Sequence, residues 1–244
     1  MLQFLINYGY IIFTALLIPA FIFAGIAQGK VTKTYNTFKR IDTEKNKKAY
    51  EVAEQMLNDA GINYVKVQRI SGALTDNFNP STKVVSLSED VYDSCSVAAI
   101  GIAAHEVGHA IQYHQKYFPI KLRMFTINVC NLTSNLLMPL LIIGLLLSYW
   151  GLAFWGIGLI SLSILSFVLS FLISLITLPV EYNASNRALK ILSGSGALTT
   201  TETSQAERVL RAAALTYVAS ALISLLAFLR ILFYILGATS KKRK

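Results

Sequence analysis

Charge is what this chain has least of. Only 14% of its 244 residues are Asp, Glu, Lys or Arg, against 54% hydrophobic, a charged share well below that of an ordinary soluble domain. The scarcity is concentrated. Residues 124–180 contain no Asp, Glu, Lys, Arg or His, and no soluble domain of this size readily accounts for such a stretch. Cysteine is nearly missing as well. Cys95 and Cys130 stand far apart and form no disulfide or metal-ligating pattern, so neither implies an oxidising compartment. Cys130, at the edge of an apolar run, is expected to be buried. Internal repeats and low-complexity linkers are absent. Histidine is limited to three residues and no Asp follows Asp93, which leaves few places for metal or acid–base chemistry.

What is present in quantity is apolar sequence in long runs. Residues 4–27 carry no charged side chain and would reach about 36 Å as a helix, enough to cross a bilayer. A cleaved leader fits poorly, because no Lys or Arg precedes the run and a dense basic segment follows it. The uncharged stretch divides into two spans, 132–149 and 151–178, about a turn at Tyr149, Trp150 and Gly151. A fourth run extends from 212 to 229, where Arg230 interrupts it before 231–236.

The net charge of +9 would suit nucleic acid, but the cations sit beside the apolar runs, so no nucleic-acid partner is expected. Lys30, Lys33, Lys39, Arg40, Lys45, Lys47 and Lys48 follow the first run, and Lys116, Lys121 and Arg123 precede the second. The positive-inside rule then puts the intervening domain in the cytoplasm of a multi-pass cell-membrane protein. Four complete crossings would leave the basic residues 241–244 outside. Either the last run is not a full crossing or the orientation is reversed.

Between the first two runs the pattern changes to that of a small folded domain. Ala49, Val52, Ala53, Met56, Leu57 and Ala60 recur at helical spacing, and Gly61 supplies a stop. Residues 64–70 and 83–87 read as strands, with Asp76, Asn77, Asn79 and Pro80 as turn chemistry between them. Residues 83–87 serve equally as an edge strand for an extended peptide or as a plain structural strand. A second helix is expected from Ser94 or Ser96 to about Gln115, buried on most sides because 97–104 are all apolar or Gly.

That helix carries His105-Glu106-Val107-Gly108-His109. Histidines at i and i+4 lie one turn apart on one face, where both imidazoles can bind a single Zn²⁺. Glu106 projects beside them as the general base for a water activated by the ion. His114 is five residues past His109, off the ligand face, and reads as a helix-end or surface residue. The third ligand must then be a carboxylate. Glu181 is the only acidic residue between Glu106 and Glu202 and directly follows a span; Glu202 and Glu207 are the substitutes. Ser185, one turn beyond Glu181 on a helix opening after Pro179, is placed to hydrogen-bond a ligating imidazole. Arg187 and Tyr217 are candidates for stabilising the oxyanion of a tetrahedral intermediate.

These residues are familiar together. Residues 72–76 (GALTD), 83–88 (KVVSLS), 103–112 (AAHEVGHAIQ), 178–181 (LPVE) and 213–219 (AALTYVA) make the chain resemble the bacterial membrane neutral zinc metallopeptidases of the YugP type, which share their motif with the gluzincins. The resemblance covers most of the chain. It implies zinc bound by His105, His109 and Glu181, a catalytic Glu106, and a protein or peptide substrate. Where members of that family tend to be acidic this chain has Asn183, and where gluzincins often have Asp it has Ser185.

The expectation is a mainly α, integral-membrane fold: about four transmembrane helices plus a small α+β zincin-like catalytic domain. Its parts are a first span (1–28), a catalytic domain (29–121), a transmembrane hairpin (122–178), a helix carrying the third ligand (179–211), a fourth span (212–237) and a basic tail (238–244). The expected activity is a zinc-dependent endopeptidase acting at the membrane surface. Cleavage within the bilayer fits less well, since Glu89, Asp90 and Asp93 precede the motif helix and His114 and Lys116 follow it. The alternative from another class is a non-catalytic, zinc-stabilised membrane scaffold or chaperone.

Overall fold

The computed structural model describes residues 2–241, and its contacts separate into two compact units. One gathers residues 1–25, 122–178 and 217–244; the other gathers 26–121 and 179–216.

The second unit holds a compact core. Its first complete helix, α2 (Ala49–Asp59), follows α1 (Leu2–Phe38). The Glu51 carboxylate accepts from the Lys48 N–H, closing the first turn of α2. Its buried face is Ala49, Val52, Ala53, Met56 and Leu57. The helix stops because Gly61 adopts φ +70°, a conformation that costs glycine nothing. A three-stranded sheet follows: β1 (Lys66–Ile70), β2 (Asn77–Asn79) and β3 (Val84–Ser88), in the order β1-β3-β2. The segment expected to be turn chemistry therefore contributes a strand of its own. β3 pairs parallel with β1 and antiparallel with β2, so it is the central strand and has no free edge for a peptide. Val85 and Leu87 are fully buried, which explains why it lies in the middle.

After the short α3 (Glu89–Tyr92) comes α4 (Val97–His114), whose N-terminus is capped by the Ser96 hydroxyl accepting from the Ala99 N–H. Val97, Ile100, Ala103, Ala104 and Val107 are all buried. They form one cluster with the α2 face, with Val85 and Leu87 of β3, and with Leu192, Ala206 and Leu210 from later in the chain.

Three long helices complete the chain: α5 (Phe118–Tyr149), α6 (Ala153–Gly194) and α7 (Thr200–Lys241). Two differ from expectation. α6 does not open after Pro179; it runs through Pro179 without a break. Proline there removes one backbone donor, which a long helix can absorb locally. The stretch 179–211 is accordingly not one helix, because α6 ends at Gly194 and α7 begins at Thr200, with Gly196 at φ +62° in the turn.

In the first unit, α5 and α6 form a hairpin about Gly151, at φ +84°. A Cβ on Gly156 would lie 2.5 Å from the Gly144 carbonyl oxygen, so glycine is what lets these two helices touch. Phe13 stacks on Phe233, linking α1 to α7, and Phe171 stacks on Phe228, linking α6 to α7. Ser174 and Ser224 hydroxyls meet at 3.1 Å. Among the described residues, three helical segments are long and apolar enough to cross a membrane: Tyr8–Phe38, Ala153–Gly194 and Thr200–Tyr234. In the segment expected as 132–149, the apolar helix counted among the described residues is the shorter Pro139–Tyr149. The side chain of Cys130 and the end of the basic tail, 242–244, lie outside the described residues.

Candidate metal centre

Three side chains from two helices converge in the second unit. α4 brings His105 and His109 one turn apart, and the ring centroids are 4.7 Å apart with the planes near perpendicular. The unit's part of α6 brings Glu181. Its Oε2 lies 3.1 Å from His105 Nε2 and 3.6 Å from His109 Nε2. The three candidate ligand atoms all fall within 4.8 Å of one another. Ligands about 2.0–2.1 Å from a tetrahedral zinc stand roughly 3.3 Å apart, so this spacing and this donor set fit the ion. Neither Glu202 nor Glu207 is needed.

What brings the helices together is the absence of a side chain. A Cβ on Gly108 would lie 2.5 Å from the Ala184 carbonyl oxygen and 3.3 Å from the Ala184 Cα. Only glycine at 108 admits so close a backbone. Ala184 is itself fully buried, as is Ala188 one turn on, and the crossing fixes the height at which Glu181 faces the histidines.

The site is dry. Glu181 is 2% exposed, His109 6% and Glu106 9%. A carboxylate so deeply buried is costly unless charge or hydrogen bonds compensate it, and the two imidazole edges supply that compensation here. Glu106 sits beside His105 on the same helix, at the rim of the core.

The outer edges of both imidazoles are also held. Ser185 Oγ lies 3.0 Å from His105 Nδ1, as its spacing from Glu181 led one to expect. Gln112 Oε1 lies 3.0 Å from His109 Nδ1. Sequence reasoning assigned Gln112 no role. The available signal was a further polar residue about one turn past His109 on a largely buried helix. It is fully buried, and its amide nitrogen donates to Val180 O and Asn183 Oδ1, each at 2.9 Å.

The other candidates fall as follows. Arg187 Nε donates to Asn183 Oδ1 at 2.6 Å, Nη1 donates to Gln115 Oε1, and the guanidinium lies over the Tyr117 ring. Tyr217 lies on α7 just past Thr216, in the first unit. His114 ends α4, with Nδ1 3.1 Å from the Tyr64 hydroxyl. Glu202 is a capping residue: its carboxylate accepts from the N–H groups of Thr199 and Glu44, both at 2.7 Å. Glu207 pairs with Arg211. An open cavity of about 390 Å³ borders Ser185, lined by Tyr182, Leu189, Leu210, Ala214 and Leu215 among others.

Residues 13–236 match the family described as "Putative neutral zinc metallopeptidase". The chain is 38% identical over 211 residues to a Bacillus subtilis (strain 168) protein named "Putative membrane protease YugP", covering 86% of this chain and 91% of that one. No solved structure matches.

Proposed function

The chain belongs to the neutral zinc metallopeptidase family, and from that premise we propose that it is a membrane-embedded endopeptidase cutting peptide bonds at the membrane surface. The observation that supports this most is the convergence of His105, His109 and Glu181 within 4.8 Å, with Glu106 adjoining. Zn²⁺ is the family's cofactor. When bound, it supplies Lewis acidity that makes water a competent nucleophile near neutral pH.

The chain's own residues do the rest. His105 and His109 offer their Nε2 atoms and Glu181 its Oε2. Glu106 takes a proton from the attacking water and passes it to the leaving amine nitrogen, so one carboxylate serves as base and then acid. Its burial beside the histidines keeps bulk water from competing. Arg187, whose Nε and Nη1 are occupied by Asn183 and Gln115, acts as a brace.

Two features favour cleavage at the surface over cleavage within the bilayer. α4 is not among the long apolar segments, and it is packed in the protein core on most of its faces. The cavity beside Ser185 is lined by Leu189, Leu210 and Leu215 together with Lys30, Glu207 and Arg211, so it offers an extended peptide both apolar and charged groups. In this reading the protein crosses the cell membrane several times, with the metal centre on the cytoplasmic side. Its substrates are proteins or peptides at the bilayer.

The deciding experiment is Glu106→Gln in the purified full chain. Zinc content stays as in the wild type, while proteolysis of a peptide substrate falls by about 10²- to 10⁴-fold. Equal turnover by the two proteins would sink the mechanism. Zinc retained by a wild type that cleaves nothing would make the protein a metal-stabilised scaffold.

A further inference from the structure

The hydrogen bonds behind His109 form a chain whose direction is set at its far end. Arginine has donors and no acceptor. Arg187 Nε therefore obliges Asn183 to present its oxygen, and Oδ1 is the atom it meets, at 2.6 Å. The same oxygen receives Gln112, which must then present its NH₂ group; Nε2 reaches Asn183 Oδ1 and the Val180 carbonyl, each at 2.9 Å. Both hydrogens of that amide are now used on acceptors, and Gln112 is fully buried. Its remaining atom, Oε1, is left to face His109 Nδ1 at 3.0 Å. An amide oxygen only accepts, so Nδ1 must carry the proton. The ring nitrogen left with the lone pair is Nε2, the one turned toward Glu181.

We propose that Gln112, oriented by Asn183 and Arg187, is the positioning residue that locks His109 in the Nδ1–H tautomer, so that it is a ready zinc ligand before any ion arrives. This rests on the assignment of His109 as a zinc ligand. The lock is one-sided. His105 Nδ1 faces the Ser185 hydroxyl, which rotates to donate or to accept, so His105 can carry its proton on either nitrogen. In the structure its Nε2 is 3.1 Å from Glu181 Oε2, within range to donate to it, and the Ser185 hydroxyl can then donate to Nδ1. Gln112 has a second effect. By holding the Val180 carbonyl, the residue before Glu181, it ties the turn that carries the carboxylate to the helix that carries the imidazoles.

The test uses the full chain in detergent micelles, stripped of metal and selectively labelled with ¹⁵N-histidine. With three histidines in the sequence, long-range ¹H–¹⁵N correlations resolve each ring. Apo wild type shows His109 as Nδ1–H. Gln112→Met loses that signature and, in competition with a chromophoric chelator, binds zinc about 10- to 100-fold more weakly; Asn183→Leu also weakens binding, whereas Asn183→Asp, which keeps an acceptor for both donors, stays within about threefold of wild type. A merely structural role would not move the tautomer signal or be rescued by Asp. If Gln112→Met does not fold, by circular dichroism, the two Asn183 variants decide. His109 found as Nε2–H in apo wild type, or Leu and Asp at 183 binding zinc alike, would overturn the proposal. A wild type that shows the Nδ1–H signature yet binds no zinc would sink the peptidase reading and leave the lock standing.

Discussion

The two units use their apolar side chains in opposite ways. In the unit with the metal centre, Ile100, Leu192 and Val85 are completely enclosed, whereas Leu165 and Ile157 in the other unit are 52% and 61% exposed. Polar side chains divide along the same line. Ser163, Ser166 and Ser174 return their hydroxyls to carbonyls of their own helix. By contrast, Gln112 and Glu202 reach across to other elements. Hydrocarbon cannot satisfy a polar group, so lipid-facing helices close their hydrogen bonds locally. Long-range polar contacts belong where water is excluded by protein and where chemistry needs fixed geometry. The Ser174–Ser224 pair, between two long apolar helices, and the web around His109 are the two extremes of polar connection among the described residues.

The contrast can be tested. The largest effect is expected at its polar extreme: Glu181→Ala should weaken zinc binding by more than about 100-fold, beyond the loss expected from removing a supporting residue. Undiminished zinc by metal analysis would remove α6 from the centre. Next comes the same deletion made in both units. Ile100→Ala leaves a cavity and should cost about 2–5 kcal/mol in thermal or denaturant unfolding, while Ile157→Ala, facing outward, should stay within about 0.5 kcal/mol. Similar losses at both positions would mean that the exposed face of α6 is covered by protein and not by lipid. A methyl group added at the helix crossing, Gly108→Ala, should cost about 1–3 kcal/mol and lower zinc affinity together with melting temperature. Loss of stability alone would separate the crossing from the ligand geometry.

The smallest effect concerns Asp76. Burial pushes its carboxyl above the ordinary 3.8, outweighing the hydrogen bonds it accepts from the N–H and hydroxyl of Ser88. A carboxyl raised in the folded state binds its proton more tightly there than in the unfolded chain. Its contribution is complete below pH 3.8 and is lost as pH rises through the higher folded value. Asp76→Asn should therefore flatten the mildly acidic limb of the stability–pH curve, read as melting temperature across that range. An unchanged slope would show that another group sets it.

How far the sequence revealed this arrangement depended on how local each signal was. The i, i+4 histidines placed two donors on one face of α4, and the charge-free stretch before Glu181 made that carboxylate conspicuous. Ser185 followed from its one-turn spacing. What stayed hidden was pairing. The apolar residues of 83–87 identify a strand but not its neighbours, so nothing local made β3 central or found β2 among turn-forming residues. Pro179 suggested a helix start because the missing donor is usually tolerated there, yet α6 continues through it. Glu202 looked like a ligand in reserve; it closes a local capping box with Thr199, and only its other partner, the Glu44 backbone, comes from a distant segment. Gln112 is the clearest case, since its meaning lies in two acceptors, Val180 O and Asn183 Oδ1, that the fold alone brings to its amide nitrogen, leaving its oxygen to face His109 Nδ1.

At Gly108 the main chain of one helix rests on the main chain of the other with no side-chain layer between them. Drift in this part of the sequence is therefore screened by bulk before it is screened by chemistry. A single methyl, inert in itself, would displace a carboxylate one helical turn away on the facing helix. Position 108 thus constrains the candidate metal centre through the main chain, without touching the ion it would hold.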